Sequence, residues 1–311
     1  MIRLVVAELQ RIAARRVVRV TVLLALVGVA LGGVAAFAFS GSLSEEAYQQ
    51  RVLDAEAREA AQDAEIVACL EANGVSPANE QVPDDVAEMC FPEEGPPGAD
   101  DPRFHRKRLE GVLHGVTGTL AIIGWALGAT LVGAEFTSRS MTSLLTWEPR
   151  RWRVFITKSI AAVATMSLFA LVTLLLVALA MWPALAFHGA PLQPNDPTLA
   201  SLGGDIARGV ALTALASGIG FAIATIGRNT AIALGVGFAY IVILENILGS
   251  SLERWRQWLI LGNIIVLVSG NDEGNGEIPG RTVVEAAVFL TVLTVAVLAV
   301  AGGTFRRRDL A

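Results

Sequence analysis

The chain has 311 residues, 53% of them hydrophobic and 17% charged, with a mean hydropathy of +0.56. Soluble domains carry about a quarter charged residues; here the apolar residues gather in long uncharged blocks, which excludes an ordinary soluble globular protein and indicates a multi-pass membrane protein. The net charge of −5 averages two opposed populations, and basic residues confined to short clusters beside apolar runs exclude nucleic-acid binding.

Residues 1–19 place Leu4, Val5, Glu8, Leu9, Ile12 and Arg16 at helical intervals. That pattern suits an amphipathic helix on a membrane surface, its arginines near anionic headgroups; a plain basic flank of the first span is the alternative. The segment does not read as a cleavable signal peptide, because its apolar run opens only at Val17 and no small-x-small cleavage site precedes a mature domain.

A helix needs about 20 apolar residues to cross a hydrocarbon core. Six stretches meet or approach this, at residues 20–39, 113–134, 159–187, 207–227, 229–248 and 284–305. Residues 254–271 are apolar over a shorter length and contain Gly262 and Asn263, which fits a re-entrant or interfacial segment. Backbone polar groups cannot stay unpaired in lipid, so the spans are expected to be helices. The fold class is therefore an all-α polytopic membrane protein with six transmembrane helices and an N-terminal interfacial helix. A short re-entrant segment before the last helix and a helical extracytoplasmic insert complete it.

The insert, residues 41–110, carries seventeen acidic and six basic residues. Ser42 and Glu45 have capping-box spacing, and one or two helices are expected between Leu43 and Asn73, before six prolines from Pro77 to Pro102 break regular structure. Cys69 and Cys90 are the only cysteines of the chain. An even pair in an exterior loop favours a disulfide over metal or redox chemistry, worth about 3 kcal/mol in the chain-entropy picture. The acidic surface is either a solvated cap or an attractor of cationic partners. The basic cluster from Arg103 to Arg108 either pairs with the acids upstream or meets lipid headgroups.

Six spans put both termini on one side. The segments on that side hold fourteen basic residues against four acidic ones, and the opposite side holds ten against twenty-five. This is the positive-inside pattern. Both termini, the loop 135–158 and the tail 306–311 are thus expected to be cytoplasmic, and the insert to lie outside.

No phosphate-binding loop, zinc-protease motif or dinucleotide fingerprint occurs. With three histidines, none at clear mid-membrane depth, an intramembrane hydrolase is disfavoured. Glu245 and Glu285 sit at span ends, so no proton relay is indicated. No metal or cofactor is expected. Gly28-x-x-x-Gly32 and Gly124-x-x-x-Gly128 allow close helix approach, within one bundle or between subunits.

The stretch 133–158 carries the most specific signal. Glu135 ends a span, Met141, Leu144 and Leu145 form a short amphipathic helix, Pro149 breaks it, and three arginines with Lys158 lead into the next span. Taken alone, this is a short helix beneath the membrane with apolar and basic faces open to a partner, or a basic topology anchor. The order of Glu135, Leu144 and Leu145, Pro149, Arg151 and Lys158, with Arg139 and Ser140 standing where the family has Gly-Thr, resembles the loop after the second span of ABC-2-type exporter permeases, and the ending Phe305-Arg-Arg-Arg-Asp-Leu310 is similar to that family's C-terminus. The resemblance implies a permease that is not itself an enzyme. Its partners would be a separate ABC ATP-binding subunit, a second identical or related permease subunit, and membrane lipids. It further implies that 135–158 acts as the coupling element, with Glu135, Arg139, Leu144, Leu145, Pro149, Arg151 and Lys158 as its residues, and that an unidentified substrate is exported across the cell membrane. The competing class is a membrane sensor or scaffold with an acidic external domain.

Overall fold

The computed structural model describes residues 2–75, 82–91, 101–138, 140–147, 150–194, 196–245, 247, 257–270 and 280–307. In chain order the helices are α1 (Ile2–Ala14), α2 (Arg16–Ala38), α3 (Glu45–Ala72), α4 (Asp84–Cys90), α5 (Arg106–Thr137) and α6 (Ser140–Trp147). They continue as α7 (Arg151–His188), α8 (Leu199–Gly227), α9 (Thr230–Ala239), α10 (Ile260–Ser269) and α11 (Val283–Arg307). Among the described residues no strand forms; Phe104 and Gly189 make one isolated parallel bridge.

Five helices, α2, α5, α7, α8 and α11, are long and apolar enough to cross a membrane. The multi-pass expectation therefore holds, while the expected span 229–248 is described only in part. Its described apolar helix runs from Thr230 to Glu245, about 24 Å at an α-helical rise, and Ile247 is helical as well. Its Tyr240–Glu245 segment is π-helical and contacts the next element. α10 starts after Leu259, which supplies no side-chain cap. The Ile260 N–H donates instead to the Tyr240 hydroxyl (3.1 Å) and the Leu261 N–H to Glu245 Oε1 (2.8 Å). The widened turn aims both side chains at orphan donors of α10, and a carboxylate at a helix N-terminus is favoured by the dipole. Residues 246 and 248–256 lie outside the described set, as does 271.

α10 spans ten residues, about 15 Å, and does not cross a bilayer. Asn263, fully buried, donates to the carbonyls of Gln257 and Leu259 and accepts from Arg281 Nε. Val266 and Leu267 pack with Leu212, Ala286 and Leu290 of α8 and α11.

The chain divides into two compact units. In the larger, α5 and α8 meet along a seam of small residues. A Cβ on Gly128 would land on the Ser217 carbonyl oxygen, one on Gly220 on the Trp125 carbonyl, and one on Gly124 would sit 2.9 Å from Thr213. Glycine removes that obstacle and lets the backbones touch. Gly28 and Gly32 face open space, and it is Gly33 that packs, against Ala180 of α7. The GxxxG pair of α5 is thus spent inside the bundle, and that of α2 is not. At one end of the unit a second core gathers Ile12, Val132, Met141, Phe155, Phe221 and Phe305, with Phe155 within 6 Å of Phe221, Phe305 and Trp152.

The smaller unit contains α3 and α4. One helix, rather than two, fills Glu45–Ala72, and its cap is Ser44, whose hydroxyl accepts from Ala47 N–H (3.3 Å), rather than Ser42. The Cys69–Cys90 disulfide ties α3 to α4. At the base, Gly41 N–H bonds the Pro102 carbonyl and Phe104 N–H the His188 carbonyl, both at 2.8 Å, with Phe104 fully buried. His188 stacks on Phe37 and shares a 2.9 Å hydrogen bond with the Ser40 hydroxyl.

Arg103 pairs with acids, one of the two readings of its cluster. Its guanidinium binds Asp101 (2.8 Å) and Glu45 (2.7 Å) and lies over the Tyr48 ring. Burial would raise the Asp101 carboxyl, but hydrogen bonds from Arg103 outweigh it and hold the group below its ordinary value. Glu45 is lowered by hydrogen bonds from Gln49 and Arg103, and Arg103 is held above its ordinary value, chiefly by its bond to Asp101.

Candidate functional site

The loop between α5 and α7 is closed by its own ends. Lys158 Nζ lies 2.7 Å from Glu135 Oε2 and 3.0 Å from Glu8 Oε1, and Arg15 reaches Glu135 Oε1 at 2.7 Å. Arg11 adds a 2.9 Å pair to Glu8. The five charges alternate, Arg11–Glu8–Lys158–Glu135–Arg15. Lys158 and Glu135 are buried, with side-chain exposures of 6% and 9%.

Desolvating charges to this degree costs several kcal/mol per ion unless each finds a partner of opposite sign. Here each does. The sequence produces the cluster because helical periodicity puts Glu8 and Ile12 on one face of α1, and Ile12 is buried in the aromatic core just below. α1 is thereby strapped to the last turn of α5 and to α7.

α6 sits on this closed base. Met141 is buried in the same core and Leu144 packs against it, while Ser140, Ser143 and Thr146 are exposed. Of the described side chains of α6, the apolar Met141 and Leu144 are turned inward and the exposed ones carry hydroxyls. The Ser138 hydroxyl donates to that of Ser140 (3.1 Å), which donates to the Glu135 carbonyl (3.4 Å), holding the α5–α6 turn. A cleft of about 740 Å³ lies beside it, lined by Arg11, Arg15, Glu135, Ser138, Ser140, Ser143 and Leu144. After the loop, Arg150, Trp152 and Arg153 are exposed.

Of the seven loop residues singled out in the sequence, Glu135 and Lys158 come together, Leu144 packs beneath them, and Arg151 lies half-buried at the start of α7. Arg139, Pro149 and the side chain of Leu145 fall outside the described residues.

Several polar groups of interest carry no motif. Asp205 and Arg208 lie in the second and third turns of α8, which starts at Leu199 rather than at 207. Asp205 is 3% exposed, and its Oδ1 accepts from Arg208 while lying 3.3 Å from His114 Nε2 of α5. Asp205 Oδ2, Arg208 Nε and Ser217 Oγ are buried without hydrogen-bond partners among the described residues, a condition costing about 1–3 kcal/mol for such a group. A run of small apolar neighbours hid Asp205, and its partner stands 91 positions away. A further cavity of about 370 Å³, bordered by Ile122, Trp125, Leu215, Ile219 and Val236, is almost wholly apolar, with Glu245 at its margin.

A family model described as ABC-2 family transporter protein matches residues 8–310. No curated protein and no solved structure matches the chain. The matched region covers nearly the whole chain, including the α1 clasp and α11, and the chain belongs to the ABC-2 transporter family.

Proposed function

We propose that this multi-pass member of the ABC-2 family is the permease subunit of an exporter, coupled through residues 135–158 to a separate ABC ATP-binding subunit. The family is a transmembrane component of ABC transporters, not itself a catalytic enzyme. One observation carries the assignment of the coupling element: the buried Glu135–Lys158 pair closes the loop at its base and fastens it to α1. A loop so closed moves as one body with α5 and α7. A push on α6 is then transmitted to two helices rather than absorbed by a flexible linker, as coupling between a motor and a bundle requires.

In this reading the termini and α6 face the cytoplasm, and the acidic insert faces outward across the cell membrane, as the positive-inside distribution demands. The partner grips the hydroxyl face of α6, with Arg150, Trp152 and Arg153 beside it. A second permease subunit covers exposed apolar surface, for which α2 is suited. Leu23, Leu24, Leu31 and Val34 of that helix are all more than 60% exposed. ATP-driven approach of two ATP-binding subunits biases the paired bundles between inward- and outward-facing arrangements.

A test uses Ser143, exposed on α6. Both native cysteines are consumed in a disulfide, so Ser143→Cys introduces a single reactive thiol. In membranes containing the ATP-binding subunit, a short thiol cross-linker is expected to join Cys-substituted α6 to that subunit, and Ser42→Cys in the insert to give no product. Equal labelling of α6 by impermeant reagents from the outside, with no cross-link, would contradict the assignment.

A further inference from the structure

At the other end of α5 from the clasp, His114 lies about 31 Å along the helix from Glu135. There Glu110 and His114, one helical turn apart, face Asp205 of α8. One ligand atom from each lies within 4.8 Å of the other two.

We propose that Glu110, His114 and Asp205 form a binding site for a divalent transition-metal ion, with Zn²⁺ the best chemical match. The i, i+4 spacing on α5 projects Glu110 and His114 from one face, and α8 supplies the third ligand from across the glycine seam. Ligands about 2.1 Å from a tetrahedral ion stand about 3.4 Å apart, and His114 Nε2 is 3.3 Å from Asp205 Oδ1. One imidazole with two carboxylates is a borderline set that favours zinc over the hard cations calcium and magnesium, which take oxygen ligands alone.

The independent observation is the state of Asp205. Its side chain is 1% exposed, yet Oδ2 has no hydrogen-bond partner among the described residues, while Arg208 and His114 crowd the other oxygen. A deeply buried carboxylate with one unpartnered oxygen, on a residue that joins a triad of possible ligands, is what a cation would complete. Arg208 is the outer partner that orients the carboxylate, the arrangement by which metal ligands are held. Three protein ligands leave a fourth position open. The ion would fasten the start of α5 to the start of α8, and the inference stands apart from the transport reading.

The full chain, purified in detergent, stripped with chelator and desalted, is titrated with Zn²⁺ alone by calorimetry and with Co²⁺ by visible absorption. The wild type is expected to bind one Zn²⁺, to show tetrahedral Co²⁺ ligand-field bands, and to unfold at higher temperature with zinc. Losing an outer-shell partner costs about 10–100-fold in metal affinity, so His114→Gln and Glu110→Gln should each lose at least about tenfold. Glu110 is only half-buried, so its variant keeps the test valid should the His114 variant misfold; metal-free thermal unfolding checks both. His105→Gln and His188→Gln should bind as the wild type does. Absence of saturable Zn²⁺ binding, binding unchanged in His114→Gln and Glu110→Gln, or binding lost with His105 would overturn the site and leave His114–Asp205 as a hydrogen-bonded pair only.

Discussion

Lys158 stands between Glu8 and Glu135 and pairs with both, whereas Arg11 reaches only Glu8 and Arg15 only Glu135. Replacing it with Met leaves two carboxylates facing each other in a buried space, and removing one member of a buried pair typically costs about 3–5 kcal/mol. We expect Lys158→Met to destabilise the purified protein by about 3 kcal/mol in denaturant or thermal unfolding. Glu135→Gln combined with Lys158→Met should cost less than the sum of the two single changes, with a coupling of about 1 kcal/mol or more. Strict additivity would mean that the pair is not an energetic unit. The sequence marked both residues but not their contact. It placed them at opposite ends of a loop and assigned them outward roles, because pattern alone does not reveal which side of a helix end faces a neighbour.

Arg103 offers a second test at the same scale. The lowered carboxyls of Asp101 and Glu45 contribute stability that is fully present above their unfolded values, 3.8 and 4.5, and is lost as the pH falls through their lower folded values. The wild type should therefore exceed Arg103→Leu in thermal stability at neutral pH, with the difference shrinking steadily below about pH 4. A difference independent of pH would assign Arg103 a packing role over Tyr48 instead.

Among the elements, α5 and α8 form the axis of the larger unit, and their closeness depends on glycines with carbonyls directly opposite. Gly128→Val should separate the helices and cost about 1–3 kcal/mol through overpacking, whereas Gly28→Val, facing open space, should stay within about 0.5 kcal/mol. Comparable losses from both, measured by thermal unfolding, would refute the seam. Long spans were readable from hydropathy, because twenty apolar residues leave little choice in lipid. The contact of Tyr240 and Glu245 with the start of α10 was not, because it spans 16 to 20 positions. Asp205 escaped for a related reason: α8 begins eight residues before the expected span at 207–227.

For the molecule as a whole, the charge of −5 separates into a basic face and an acidic one in the six-span reading, and the two structural devices fall at opposite ends of α5. The ion clasp at Glu135 closes the loop between α5 and α7, and the Glu110–His114–Asp205 group lies near the helix start. The central claim is that this chain transmits work done by a separate ATPase. The direct measurement is ATP hydrolysis by the purified ATP-binding subunit, with and without this chain, in proteoliposomes. The account predicts a stable complex of paired permease and ATP-binding subunits, with hydrolysis that depends on the chain and falls when α6 is deleted. A chain that stays free of the ATP-binding subunit and leaves its hydrolysis unchanged would contradict it.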